Sequence, residues 1–94
     1  MIDFLAKRTD GEWFDLPVGS DAYRPKTVPY ERLGTEENAI LIGGCEVSFS
    51  FEDPGILISF DGDISEDLAE RVASEVLERI CEITGQQGEL VRIT

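Results

Sequence analysis

Histidine is absent from these 94 residues, and between Arg32 and Arg71 there is neither lysine nor arginine. Cysteine is scarce: Cys45 and Cys81 stand 36 positions apart, and with no histidine beside them they form neither a metal site nor a cysteine nucleophile pair. Free, buried thiols are the expected state. The chain also lacks a glycine-rich phosphate loop, a nucleophile elbow and, in its acidic half, any base to hold an anionic substrate. No catalytic residues, no cofactor and no metal are expected. No apolar run approaches the roughly 18 residues of a membrane span. The segment Met1 to Arg8 has no basic leader before a long apolar run and no small-residue cleavage site, so the cytoplasm is the expected location.

What is present is acid, and it is placed rather than spread. Ten carboxylates fall in the base-free stretch: Glu36, Glu37, Glu46, Glu52, Asp53, Asp61, Asp63, Glu66, Asp67 and Glu70. Residues 1–32 hold five bases against six acids, so nearly all of the net charge of −12 arises beyond them. Such a field attracts basic partners and repels both phosphate and anionic lipid, which argues against nucleic acid and membrane as partners. A hydrophobic content of 41% keeps the chain out of the disordered class despite that charge. Its length suits one domain, 1–94, with a single modest core.

The pattern along the chain predicts an α+β fold: an antiparallel sheet of four to six strands, one long amphipathic helix over about 65–84 on one face, and a short C-terminal strand. Ile2 to Arg8 and Glu12 to Leu16 read as a hairpin turning at Asp10-Gly11. Of the neighbours Trp13 and Phe14, which cannot both face inward on a strand, Trp13 is the expected core residue. An irregular loop over about 17–36 follows, containing Pro17, Gly19, Pro25, Pro29 and Gly34. Its end, Pro29 to Gly34, suits one helical turn.

Ala39 to Ile42 reads as a strand covered on both faces, and Gly43-Gly44 as a bend or bulge after it. From Cys45 to Glu52 the alternation is strict, with Cys45, Val47, Phe49 and Phe51 against Glu46, Ser48, Ser50 and Glu52. Ile56 to Asp61 alternates likewise. An even-numbered loop keeps the apolar sets together, and a four-residue loop pairs Phe51 with Ile58 and Phe49 with Phe60. Leu68, Val72, Val76 and Ile80 recur at the helical period; Ser65 or Asp63 caps that helix and Gly85 ends it.

Asp61-Gly62-Asp63-Ile64-Ser65 places the first three oxygen donors of a calcium loop, but Glu66 stands where the turn glycine belongs and Val72 where the bidentate glutamate belongs. A strand end, a turn and a helix cap explain it better. Glu52, Asp53, Asp61 and Asp63 are expected on loops around one sheet end, and paired carboxylates can in principle serve as acid and base. With no other catalytic group in sight, a binding surface is the better expectation. Its residues are Glu46, Glu52, Asp53, Asp61, Asp63, Glu66 and Asp67, with Tyr23 and Tyr30 as candidate aromatic anchors.

The carboxylate-rich hairpin through Glu46, Glu52, Asp53 and Asp61, and the stretch Asp61 to Leu68 running into Ala69-Glu70-Arg71, give a chain that resembles the small acidic immunity proteins of bacterial polymorphic toxin and contact-dependent inhibition systems. The resemblance covers roughly the last half. It implies a cytoplasmic, non-catalytic protein that binds a basic toxin domain, often a nuclease, and occludes its active site or substrate groove. The alternative is a small structural or adaptor subunit forming a homodimer, its acidity serving solubility. A DNA-mimicking inhibitor is a third reading.

Overall fold

The computed structural model describes residues 2–17, 21–33, 38–52 and 55–93. Its framework follows from alternation. On β4 (Cys45–Glu52), Cys45, Val47 and Phe49 are buried while Glu46, Ser48 and Ser50 are exposed. β5 (Gly55–Asp61) runs antiparallel to it, with Val47 opposite Phe60 and Phe49 opposite Ile58, so apolar side chains meet on one face only. β3 (Ala39–Ile42) reaches β4 through Gly43 and Gly44, whose φ angles of 56° and 88° make a two-residue hairpin turn between the paired Ile42 and Cys45. Consecutive positive φ values give a turn whose twist matches the flanking strands, so the double glycine is the hairpin itself rather than a bulge before a strand.

β1 (Ile2–Arg8) lies between β5 and β6 (Gly88–Arg92), and β2 (Glu31–Arg32) pairs at the far edge with Ile40 and Leu41. All pairings are antiparallel, and the order is β2-β3-β4-β5-β1-β6 in one six-stranded sheet. The fold is thus α+β, as the sequence pattern predicts.

Four local expectations give way. The Ile2–Arg8 and Glu12–Leu16 hairpin does not form, because both edges of β1 are taken by β5 and β6 and no edge remains for residues 12–16. The Asp10 carboxylate accepts the Glu12 N–H at 3.0 Å and pairs with Arg8, turning the chain off the sheet. Off the strand, the choice between neighbours reverses. Phe14 is the buried ring and Trp13 stays 42% exposed. Phe14 fits because position 88 is glycine: a Cβ there would lie 2.6 Å from Phe14 Cζ and 2.9 Å from Leu77 Cδ1.

The β4–β5 register differs by two residues from the expected one. Phe51 faces Ile56 and Glu52 faces Gly55, leaving residues 53 and 54 between the paired positions. Parity of the faces is preserved, as the alternation requires. The close approach of β1 explains the shift: a Cβ on Gly55 would sit 2.1 Å from the Ala6 carbonyl oxygen, so this glycine serves strand packing instead of the turn. At Pro29 to Gly34, Glu31 and Arg32 pair as strand where a helical turn was expected, since β3 offers them an open edge.

The helix α1 (Glu66–Thr84) is capped by Ser65, whose hydroxyl accepts the Leu68 N–H at 3.2 Å. Gly85, at φ 70°, ends it by donating its N–H to the Cys81 carbonyl at 2.8 Å. Ala69, Val72, Ala73, Val76 and Ile80 are buried against the sheet face that carries Phe4, Ile56, Ile58 and Phe60. α1 packs nearest β1 and β6. A helix about 10 Å across covers only part of a sheet whose strands lie about 4.8 Å apart.

The loop supplies the rest of that layer. Ala22, Pro25 and Val28 are buried, and Tyr23 stacks on Phe49 with ring centroids 4.9 Å apart and planes 6° from parallel. Helix residues fasten it, Glu75 and Arg79 through its backbone. Glu75 accepts the backbone N–H groups of Lys26 and Thr27, each at 2.7 Å, and the Thr27 hydroxyl at 2.6 Å. Arg79 donates to the carbonyls of Arg24 and Pro25 at 3.3 and 3.4 Å.

A candidate protein-binding face

With α1 and the 21–30 loop on one side, the other side of the sheet is left open among the described residues. Strand register arranges that face as four rows across the strands. The first is Leu41, Glu46 and Asp61; the second is Ala39, Ser48, Ser59 and Asp3, with Ile93 donating its N–H to the Asp3 carbonyl. The third is Ser50, Leu57, Leu5 and Val91, and the fourth Glu52, Gly55, Lys7 and Glu89. Glu46, Ser48, Ser50, Glu52 and Asp61 are exposed.

The carboxylates do not surround one sheet end. Glu46 and Asp61 face each other at one end, and Glu52 pairs with Gly55 at the other, six residues along β4 or about 20 Å at the rise of an extended strand. The expected cluster of Glu52, Asp53, Asp61 and Asp63 is therefore split, because an antiparallel hairpin sends the start of β4 and the end of β5 to the same end, away from their connection. Asp53 lies outside the described residues. Asp63, between β5 and α1, and Asp67, in the first turn of α1, are exposed beyond the Glu46–Asp61 end.

Each of the chain's eight bases is engaged with other groups, and only Lys7 lies in the rows of the open face. Lys7 pairs with Glu89, Arg8 with Asp10, Arg24 and Arg32 with Asp21, Lys26 with Glu78 and Glu82, Arg71 with Glu75, and Arg92 with Glu66. Arg79 is on loop carbonyls. Glu66 alone among the described acidic candidates has a cationic neighbour, with Arg92 at 3.4 Å. Among the described residues no base lies within ion-pair distance of Glu46, Glu52, Asp61, Asp63 or Asp67.

Hydrogen bonds from Arg32 hold Asp21 below the usual carboxylate range, and Asp21 in turn raises Arg32. The Glu75 carboxyl is opposed by burial, yet its bonds to Thr27, Arg71 and Lys26 prevail and bring it down to about 2. These shifted groups sit in the loop anchorage, not on the open face.

The tyrosines are half-buried on the loop side. Burial pushes the Tyr23 phenol up, and its ring is committed to Phe49. Tyr30 accepts from Arg24 at 3.5 Å and lines a shallow cleft with Pro29, Leu41 and Gly43 at the β2–β3 edge. The exposed aromatic pair is a different one: Trp13 against Phe51, centroids 5.9 Å apart, with Phe51 52% exposed. The alternation on β4 points to Phe51 as an end-of-strand residue, but nothing local reveals that Trp13 joins it.

Both cysteines are free; Cys45 is buried and Cys81 only partly so. Burial raises the Cys45 thiol, with Asp61 and Asp63 adding to the effect. No helix among the described residues is long and apolar enough to cross a membrane. Comparison with protein-family models, with curated proteins and with solved structures finds no match.

Proposed function

We propose that this chain is a non-catalytic inhibitor of the immunity-protein kind, which binds a basic partner such as a toxin nuclease and occludes its working surface. The observation that carries this reading is the open sheet face. It bears Glu46, Glu52 and Asp61 around serine hydroxyls, while the one base in its rows, Lys7, is paired with Glu89 and the other bases are spent away from the face. Surfaces that serve solubility alone mix the two signs. Here the unpaired carboxylates form a field that accelerates encounter with a cationic protein and weakens with salt.

Affinity capture from the native host, eluted across a salt series, tests it. One basic protein recovered at near-stoichiometric yield, released by salt and inhibited in its own activity by the added chain, is the expected result. Charge reversal at Glu52, Asp61 and Asp63 then slows association while the fold stays intact; unchanged rates would remove these residues from the interface. The homodimer reading draws on the edge strand β6, whose outer side pairs with no described strand. Light scattering that shows a stable dimer retaining no basic protein would favour it.

A further inference from the structure

The open face is not uniformly polar. Leu5 is the direct cross-strand partner of both Leu57 and Val91, so three branched aliphatic side chains stand side by side across β5, β1 and β6, each partly exposed. Ile93, 50% exposed, flanks them in the neighbouring row. On the other face the corresponding β1 and β5 residues, Phe4, Ala6, Ile56 and Ile58, are buried beneath α1 and its loop. A solvated sheet face needs no such row, and its cross-strand neighbours are serine and charged residues.

Charge decides what the row suits. Going one way along the strands the face ends in Glu46 and Asp61; going the other it ends in Glu52 and Glu89, the last paired with Lys7. A second copy of this chain would set carboxylates against carboxylates in either orientation, on top of a net charge of −12 for each chain. A cationic protein meets no such repulsion. We propose that Leu5, Leu57 and Val91 form the apolar seat for a protein surface that presents an apolar centre rimmed by lysine and arginine. This rests on the reading of the chain as a binder of a basic protein and divides the labour within that interface: the acidic rows steer the approach, and the desolvated centre sets the lifetime.

The test titrates isotope-labelled chain at low salt with two probes: a leucine–lysine peptide patterned as an amphipathic helix, and an oligolysine of equal charge. The patterned peptide should bind at least about tenfold more tightly and perturb the amides of Leu5, Leu57 and Val91 first. Leu57→Asn and the near-isosteric Val91→Thr should abolish that preference while leaving oligolysine binding intact. Should either variant fold poorly, the wild-type shift map still decides. Equal affinity for the two probes, or perturbations confined to α1, overturns the apolar seat and leaves the charge-based reading standing. Binding of neither probe overturns both. A wild-type dimer that Val91→Thr dissociates would give the seat to a second copy and overturn the proposal.

Discussion

Glu46 on β4 and Asp61 on β5 are direct cross-strand partners on the open face, and no base among the described residues lies within ion-pair distance of either. Like charges directly opposite one another disfavour the strand pair. Glu46→Lys should therefore stabilise the domain by about 0.2–1 kcal/mol, the scale of a cross-strand pair, read as a higher urea midpoint at unchanged slope. The same substitution should slow association with a basic partner at low salt, a difference that fades as salt rises. A lower midpoint would show that this pair carries no repulsion to relieve.

Glu75 is the anchor of the 21–30 loop, and its acid response follows from its bonds. Its carboxyl ordinarily titrates at 4.5 and is held at about 2 in the folded chain. The folded state thus prefers the charged form, so the contribution is complete above about pH 4.5 and is lost as pH falls towards 2. Glu75→Gln should cost about 1.5–3 kcal/mol near neutral pH, the scale of hydrogen bonds to a charged group, and should flatten the decline between those limits. Urea midpoints for both proteins across that window check it; parallel curves would mean the loop is held by other contacts.

Trp13 and Phe14 should separate cleanly by truncation. Phe14→Ala removes a buried ring beneath Gly88 and Leu77 and should cost about 3–5 kcal/mol. Trp13→Ala loses only the exposed contact with Phe51, of about 0.5–1.5 kcal/mol. Indole emission should be red-shifted and readily quenched by acrylamide in the native protein. A blue-shifted, protected tryptophan would contradict this placement.

The thiols should react in order. Burial raises both thiols, but Cys81 is partly exposed whereas Cys45 lies at the turn into β4 with no exposed surface. An aromatic disulfide reagent should label Cys81 first and reach Cys45 only on unfolding. Simultaneous labelling of the two under native conditions would be incompatible with the packing of β4 against Gly62, where a Cβ would lie 3.1 Å from Cys45 Cα.

Sequence pattern alone determined the elements whose signal is local and repeated. The alternation of Cys45 to Glu52 is a backbone period of two, and the recurrence of Leu68, Val72, Val76 and Ile80 is a period near 3.6; either can be read without knowing what the element packs against. The Ser65 cap, the Gly85 stop and the α+β class follow from the same local chemistry. The excess of carboxylates without bases was equally legible, since charge is counted and not folded.

Tertiary structure alone decided the rest, because partner choice is a contest among distant segments. Residues 12–16 have strand-like composition but lost β1 to β5 and β6, and that loss turned Trp13 out and Phe14 in. Gly55 resembles a turn glycine until the Ala6 carbonyl is seen against it, with the β4–β5 register two residues from the expected one and Asp61 opposite Glu46. The row of Leu57, Leu5 and Val91 spans three strands drawn from the start, the middle and the end of the sequence. No window of sequence contains it, and only the strand order brings it together.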